Sequence, residues 1–167
     1  MTRLLLDLGH RQISLINGPA SVSTAADRAA GFVRAMLESG VKVPEVHYGA
    51  FTQNSGYAMT CQVLSQQPRP TALIAANNFL AIGALKAILD ARLEVPDEVA
   101  IAGFDDLPAA MVVDPFLTAA CQPAYEMGRR AAELLLSRLD GSETGPAQEI
   151  LLPVELVVRH SSGTRLG

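Results

Sequence analysis

From residue 11 onward the sequence alternates short aliphatic runs with longer segments of helical periodicity, and few folds accommodate that order. The run "RQISLING" (11–18) has strand character, and "TAADRAAGFVRAMLESG" (24–40) has the spacing of an amphipathic helix, with Ser23 or Thr24 suited to cap its start and Gly40 its end. The pattern then repeats. "VPEVHYGAF" reads as a strand, "NSGYAMTCQVLSQ" as a helix, "TALIAA" as a strand, "FLAIGALKAILDARL" as a helix and "EVAIAGFDD" as a strand. Runs such as Leu73 to Ala76, apolar at every position, suit strands covered on both faces. Short connections and right-handed crossovers turn such a series into a doubly wound parallel sheet with helices on both faces, so the expected fold class is α/β.

Size and composition agree with a domain built around an aliphatic core. The chain has 167 residues, of which 49% are hydrophobic and few aromatic. A formal charge of -4 without a cluster of Lys or Arg disfavours nucleic-acid binding by this segment, because such binding depends on neutralising phosphates. No apolar run approaches the length a bilayer requires, and Asp7 interrupts the opening "MTRLLLDLGHRQ" where a secretory signal needs continuous apolar sequence. Cys61 and Cys121 lack metal-ligand spacing, so reduced thiols in a cytoplasmic setting are expected. His10, His47 and His160 share no spacing with other ligands, and no metal or cofactor is expected. The sequence contains neither a GxGxxG nor a phosphate-loop motif, and no GxSxG elbow; an enzyme is not expected.

Both ends depart from a self-contained unit. "RLLLDLGH" reads as the end of a helix capped by Gly9 with no strand before it. After "DPFLTAACQP" comes a further amphipathic helix, "AYEMGRRAAELLLSRLDG", then a polar loop and the extended "EILLPVELVVRHSS", broken by Pro153.

In open parallel sheets ligands are held beyond the carboxyl ends of the strands, where loops and helix N-termini converge. Several polar and aromatic residues fall there. Arg28 is placed near the start of a helix, where the macrodipole disfavours a cation; its planar fork could grip adjacent hydroxyls or a carboxylate, or it could pair with Asp27 or stay in solvent. Phe51 follows a strand end, free to stack on a flat ligand or to pack against a loop. Asn77 and Asn78 end the "TALIAA" strand, and Asn78 can cap the helix from Phe79, bind a ligand hydroxyl, or both. Asp105 and Asp106 sit at the same edge and suit capping or turn hydrogen bonds better than acid–base catalysis, for which no partner nucleophile or metal is evident.

Taken in order, "LGHRQISLINGP", "DRAAGF", "GAFTQNSGY", "RPTALIAANNFLAIGAL", "LEVPDEVAIAGFDDLPAA", "DPFLTAACQP", "MGRRAAELLLSRLDG" and "LPVELVVRHSS" resemble the effector-binding core of the LacI/GalR family of bacterial transcriptional regulators. The resemblance covers nearly the whole chain. It implies a type I periplasmic-binding-protein-like fold, here incomplete and mainly the C-terminal lobe, without the helix-turn-helix, the hinge and most of the N-terminal lobe. Residues 1–167 would be a partial effector-binding domain. Its C-terminal lobe core would span 11–116, a crossover and a helix of the other lobe 117–147, and a return strand and tail 148–167. That helix without its sheet would leave apolar surface in water at about 25 cal/mol per Å², so this chain alone is not expected to be an intact sensor.

By the same resemblance Arg28, Phe51, Asn78 and Gln122 would contact a small effector, a sugar or a nucleobase-like metabolite, held between two lobes. The family usually carries aspartate where Asn78 stands, so either the effector chemistry differs or affinity is reduced. Apolar "AAMVVDP" would lie at the lobe's edge, with Met111, Val112 and Val113 as contacts of a homodimer or, alternatively, as core packing. The implied function is effector sensing by a regulator that reads DNA only through the helix-turn-helix outside this chain. A sugar-binding component of a transport system with the same fold is the alternative.

Overall fold

The computed structural model describes residues 1–108 and 116–163. Met111, Val112 and Val113 lie outside the described residues. Helix α1 (Thr2–Asp7) is followed by β1 (Ile13–Asn17), α2 (Ser23–Glu38), β2 (Val46–Tyr48), α3 (Gln53–Leu64), β3 (Ala72–Ala75), α4 (Asn78–Asp90) and β4 (Ala100–Phe104). The chain continues through β5 (Thr118–Cys121), α5 (Ala124–Leu139), β6 (Glu155–Val157) and a 3₁₀ turn at His160–Ser162. It divides into two compact units, one comprising Met1–Ala120 with the segment from Leu156 onward, the other Cys121–Glu155.

The first unit is the α/β sheet structure that the alternation predicts. Strand order is β2-β1-β3-β4-β5-β6, and the pairings β1 with β2 and β3, β3 with β4, and β4 with β5 are all parallel. In register, Leu15 faces Val46 on one side and Ile74 on the other, while Leu73 faces Ile101. Every residue of β1 and β3 is buried, as continuous apolar runs require. The chain leaves β1 towards β2 and then crosses back past β1 to β3, so the order reverses between β1 and β3. Right-handed crossovers running in opposite directions place α2 and α3 on opposite faces. Leu5, Phe32 and Met36 pack into the core from α1 and α2, and Val63, Leu80 and Ile88 from α3 and α4.

Local signals account for most boundaries. Gly40 takes φ +66 after α2, with its N–H on the Leu37 carbonyl and the Val41 N–H on that of Met36, the Schellman pattern. Gly9 closes α1 in the same way. The start of α2 differs from expectation: its cap position is Val22, without a side-chain bond. The first turn is held instead by the buried Asn17, whose Nδ2 donates to the Ala25 carbonyl at 2.9 Å while its Oδ1 accepts from Gly18 N–H at 2.8 Å. Thr118–Cys121, within the segment expected as a crossover, is itself a strand of the sheet. The division between the units falls at its end, between Ala120 and Cys121.

Helices α3 and α4 approach closely at two glycines. A Cβ on Gly83 would lie 2.0 Å from the Gln53 carbonyl oxygen, and one on Gly56 2.5 Å from that of Leu80. This pins together the N-terminal halves of two helices that both start at the sheet's carboxyl edge. The second unit carries α5, none of whose residues is buried. Along it Glu126 receives hydrogen bonds from Arg129 and Arg130, which pull its carboxyl down to about 2, and Arg129 also pairs with Glu133.

Candidate ligand-binding site

The carboxyl ends of β1, β3 and β4 are neighbours, and the order reversal between β1 and β3 opens the place where such sheets hold ligands. Arg28 is the sixth residue of α2, beyond the first turn, so the macrodipole penalty weighs less than its sequence position implied. Its Nη1 donates to the Ala76 carbonyl just past β3 at 2.8 Å. Its guanidinium lies 3.9 Å from the ring centroid of Phe104, the last residue of β4. One side chain from α2 thus reaches the tips of two strands. Burial lowers the proton affinity of the guanidinium, and the Asp105 carboxylate opposes that shift. No ion pair with Asp27 forms among the described residues.

Phe51 stands at the tip of β1. Its ring rests on Gly18, where a Cβ would come 2.1 Å from the ring's Cζ; any side chain at residue 18 would displace the ring. Phe51 also lines an open recess of about 380 Å³ with Thr52, Gln53, Asn54 and Phe79, between the N-termini of α3 and α4.

The two asparagines divide their work. Asn77 is the cap of α4, its Oδ1 accepting from Leu80 N–H at 2.9 Å. Asn78 is the first helical residue, and its Nδ2 donates to the Asp106 carbonyl at 3.4 Å. The capping that sequence alone allowed at Asn78 falls one residue earlier, because Asn77 has the extended backbone a cap requires (φ -153, ψ 174).

Beyond β4, Asp105 adopts a left-handed backbone (φ 64), and its N–H donates to the Ala120 carbonyl at 2.9 Å. The Asp106 carboxylate accepts a two-pronged pair from Arg159, 2.9 Å to Oδ1 and 2.6 Å to Oδ2, and also Leu107 N–H at 2.8 Å. These bonds, the Arg159 fork foremost, hold the Asp106 carboxyl below the ordinary carboxylate range. Asp106 therefore does the turn work expected of it, with an added charge partner that spacing could not reveal. Gln122 is the second residue of the second unit, and its carbonyl accepts from Ala124 N–H at 2.9 Å at the start of α5.

Arg28, Phe51 and Asn78 thus occupy the ends of neighbouring strands. Asp105 and Phe104 join Arg28 there, although sequence reasoning singled out neither as its companion. Their signal was only their place at a strand end. Chemically the edge combines planar donors, an aromatic face, a carboxylate and an amide, a set that suits binding a polar molecule. Among the described residues no group of three or more His, Cys, Asp and Glu is arranged to hold a metal ion, and no helix is long and apolar enough to cross a membrane.

A mostly parallel α/β sheet with polar and aromatic side chains at its strand tips is the architecture of periplasmic-binding-protein-like domains. The chain belongs to the family of periplasmic binding protein-like domains, whose pattern matches residues 2–162. It is 39% identical over 161 residues to the HTH-type transcriptional repressor PurR of Escherichia coli O1:K1 / APEC, a match covering 95% of this chain and 47% of that protein. The chain therefore spans about half the length of the curated relatives it matches. Among solved structures it is similar to a transcriptional regulator CelR–cellobiose complex, with TM-score 0.87 and 35% identity over 96% of this chain and 49% of that one. It is also similar to a lac repressor dimer bound to operator and the anti-inducer ONPF, with TM-score 0.81 and 32% identity over 96% of this chain and 49% of that one. The chain is thus homologous to the effector-binding portion of LacI-family regulators.

Proposed function

We propose that this chain is the small-molecule-sensing portion of a LacI-family transcriptional regulator, and that its effector is a small polar metabolite, a sugar or a nucleobase. The observation that carries the reading is Arg28, anchored to the Ala76 carbonyl and stacked on Phe104 at the point where strand order reverses. A guanidinium held in one plane loses little freedom when it grips two adjacent hydroxyls or ring heteroatoms, so much of the ordering cost is met before the ligand arrives. Phe51 offers a face for stacking, the Asn78 amide a neutral hydrogen-bonding group, and Gln122, in the crossover segment, a further effector contact by the family resemblance. Closure of two lobes on the effector then shifts a pre-existing equilibrium and changes the spacing of paired DNA-binding heads in a cytoplasmic homodimer. Met111, Val112 and Val113 are the proposed dimer contacts. DNA is read only by a helix-turn-helix outside this chain, and the site carries out no reaction. A transport role is disfavoured by the relatives, which are named as regulators.

Calorimetric titration of the full-length gene product with a panel of sugars, cellobiose included, and purine bases tests the reading. Saturable binding of one class with recovery of the compound unchanged supports it. Conversion of a compound to product, or no binding across the panel, overturns it.

A further inference from the structure

The loop after β4 is clamped from both sides, and one clamp comes from a residue far along the chain. Arg159 follows closely on the return of the chain to the first unit at Leu156. Its Nη1 donates to the Leu117 carbonyl at 2.6 Å as well as to Asp106, and its backbone N–H donates to Thr118 Oγ1 at 2.9 Å. Thr118 Oγ1 in turn donates to the Arg159 carbonyl at 3.0 Å. Arg159 is thereby locked to β5, and through its fork it fixes Asp106. On the other side Asn78, at the start of α4, donates to the Asp106 carbonyl. A carbonyl only accepts, so the Asn78 amide must turn its Nδ2 inward, which leaves Oδ1 as the atom for other contacts. Next to the clamped Asp106 sits Asp105, in a left-handed backbone conformation that L residues other than glycine seldom adopt, its own N–H held by the Ala120 carbonyl. Such a conformation persists only when neighbouring bonds impose it.

We propose that Arg159 is a positioning residue for the ligand site: by clamping Asp106 against Asn78 it holds Asp105 in the left-handed conformation at the tip of β4, next to the Phe104 ring on which Arg28 stacks. The proposal rests on the reading of this edge as a ligand site, but its structural half stands without any ligand. It makes the tip of β4, Phe104 with Asp105, a preassembled unit beside Arg28's guanidinium, with orientation delivered from the sheet's far strands. Lysine cannot replace Arg159, since a point charge cannot span both Asp106 oxygens and the Leu117 carbonyl together.

The test is nuclear magnetic resonance of the isotopically labelled full-length protein, comparing wild type with Arg159→Lys and Asp106→Asn. In wild type, Asp105 is expected to show the strong intraresidue HN–Hα Overhauser effect of a positive φ, and the Asn78 side-chain protons to exchange with water more slowly than those of the exposed Asn54. In either variant the Asp105 effect should fall to the level of ordinary residues and Asn78 exchange should quicken, while the Leu80 amide, held by Asn77, keeps its signal. Unchanged Asp105 and Asn78 signals in a folded variant overturn the proposal. So does rapid wild-type Asn78 exchange, should both variants fail to fold. Titration with the same sugar and purine panel supplies the second readout. Arg159→Lys should weaken the binding seen in wild type about tenfold, whereas Arg28→Ala should abolish binding yet leave the Asp105 signal intact. Absence of binding across the panel removes the sensor reading alone, and an unmoved Asp105 signal removes the positioning role alone.

Discussion

The guanidinium of Arg28 stacks on the ring of Phe104 at 3.9 Å, joining the second turn of α2 to the tip of β4. Half-buried cations are costly unless their surroundings replace water. Here the ring face, the Ala76 carbonyl and the nearby Asp105 carboxylate do so, and a stack of this kind contributes about 0.5–2 kcal/mol. The result is a donor group held in place at the strand edge, which is what a selective site for a small polar molecule needs.

The α3–α4 contact leaves no room for side chains at its glycines. Gly83→Ala would drive a methyl group into the Gln53 backbone and should destabilise the protein by about 1–3 kcal/mol, with Gly56→Ala close behind. Gly31, in the interior of α2 with nothing near its missing Cβ, is the control: Gly31→Ala should stabilise by about 0.5–1 kcal/mol through helix propensity. Denaturant midpoints at a common m value measure both signs.

The end of α4 uses the Schellman pattern without glycine. Arg92 occupies the left-handed position (φ 57), its N–H on the Leu89 carbonyl and the Leu93 N–H on that of Ile88. Arg92→Gly removes the Cβ penalty and should stabilise by roughly 0.5–1 kcal/mol, a rise of about 1–4 °C in Tm by calorimetry.

His10 introduces a pH dependence. Its ring is almost fully buried, with Nδ1 2.9 Å from Thr71 Oγ1 and a further hydrogen bond to the Ser162 backbone. Burial lowers its proton affinity below the ordinary 6.5, and the Ser162 bond only partly opposes this. As pH falls through about 6.5 the unfolded chain takes up the proton first, so this contribution to stability is full above that pH and is lost as pH drops towards the folded value. Stability measured by urea unfolding should therefore decline across this acid range, and His10→Gln should flatten the slope there.

Much of this architecture is legible because its signals are local. Leu73 to Ala76 reads as a strand covered on both faces from its apolar run, and β3 spans Ala72–Ala75; Gly9 and Gly40 mark helix ends because few other residues adopt their backbone angles. The site is legible only in part. Placing Arg28, Phe51 and Asn78 at strand ends follows from element order. The contacts that give them their chemistry do not: Arg28 meets Phe104, and Asp106 meets Arg159, through tertiary packing that no spacing encodes. The cap shifted from Asn78 to Asn77 because either asparagine satisfies the local rule and only backbone angles decide. Thr118–Cys121 joined the sheet because burial beside β4 outweighs weak strand propensity in a run of small residues.

The central claim is that Arg28 and Phe51 belong to one site for a small polar molecule. The most direct measurement is calorimetric affinity for the compound selected from the sugar and purine panel, in wild type, Arg28→Ala and Phe51→Ala of the full-length protein. Each substitution should weaken binding by about tenfold or more, with circular dichroism unchanged. Wild-type affinity in both folded variants would contradict the account.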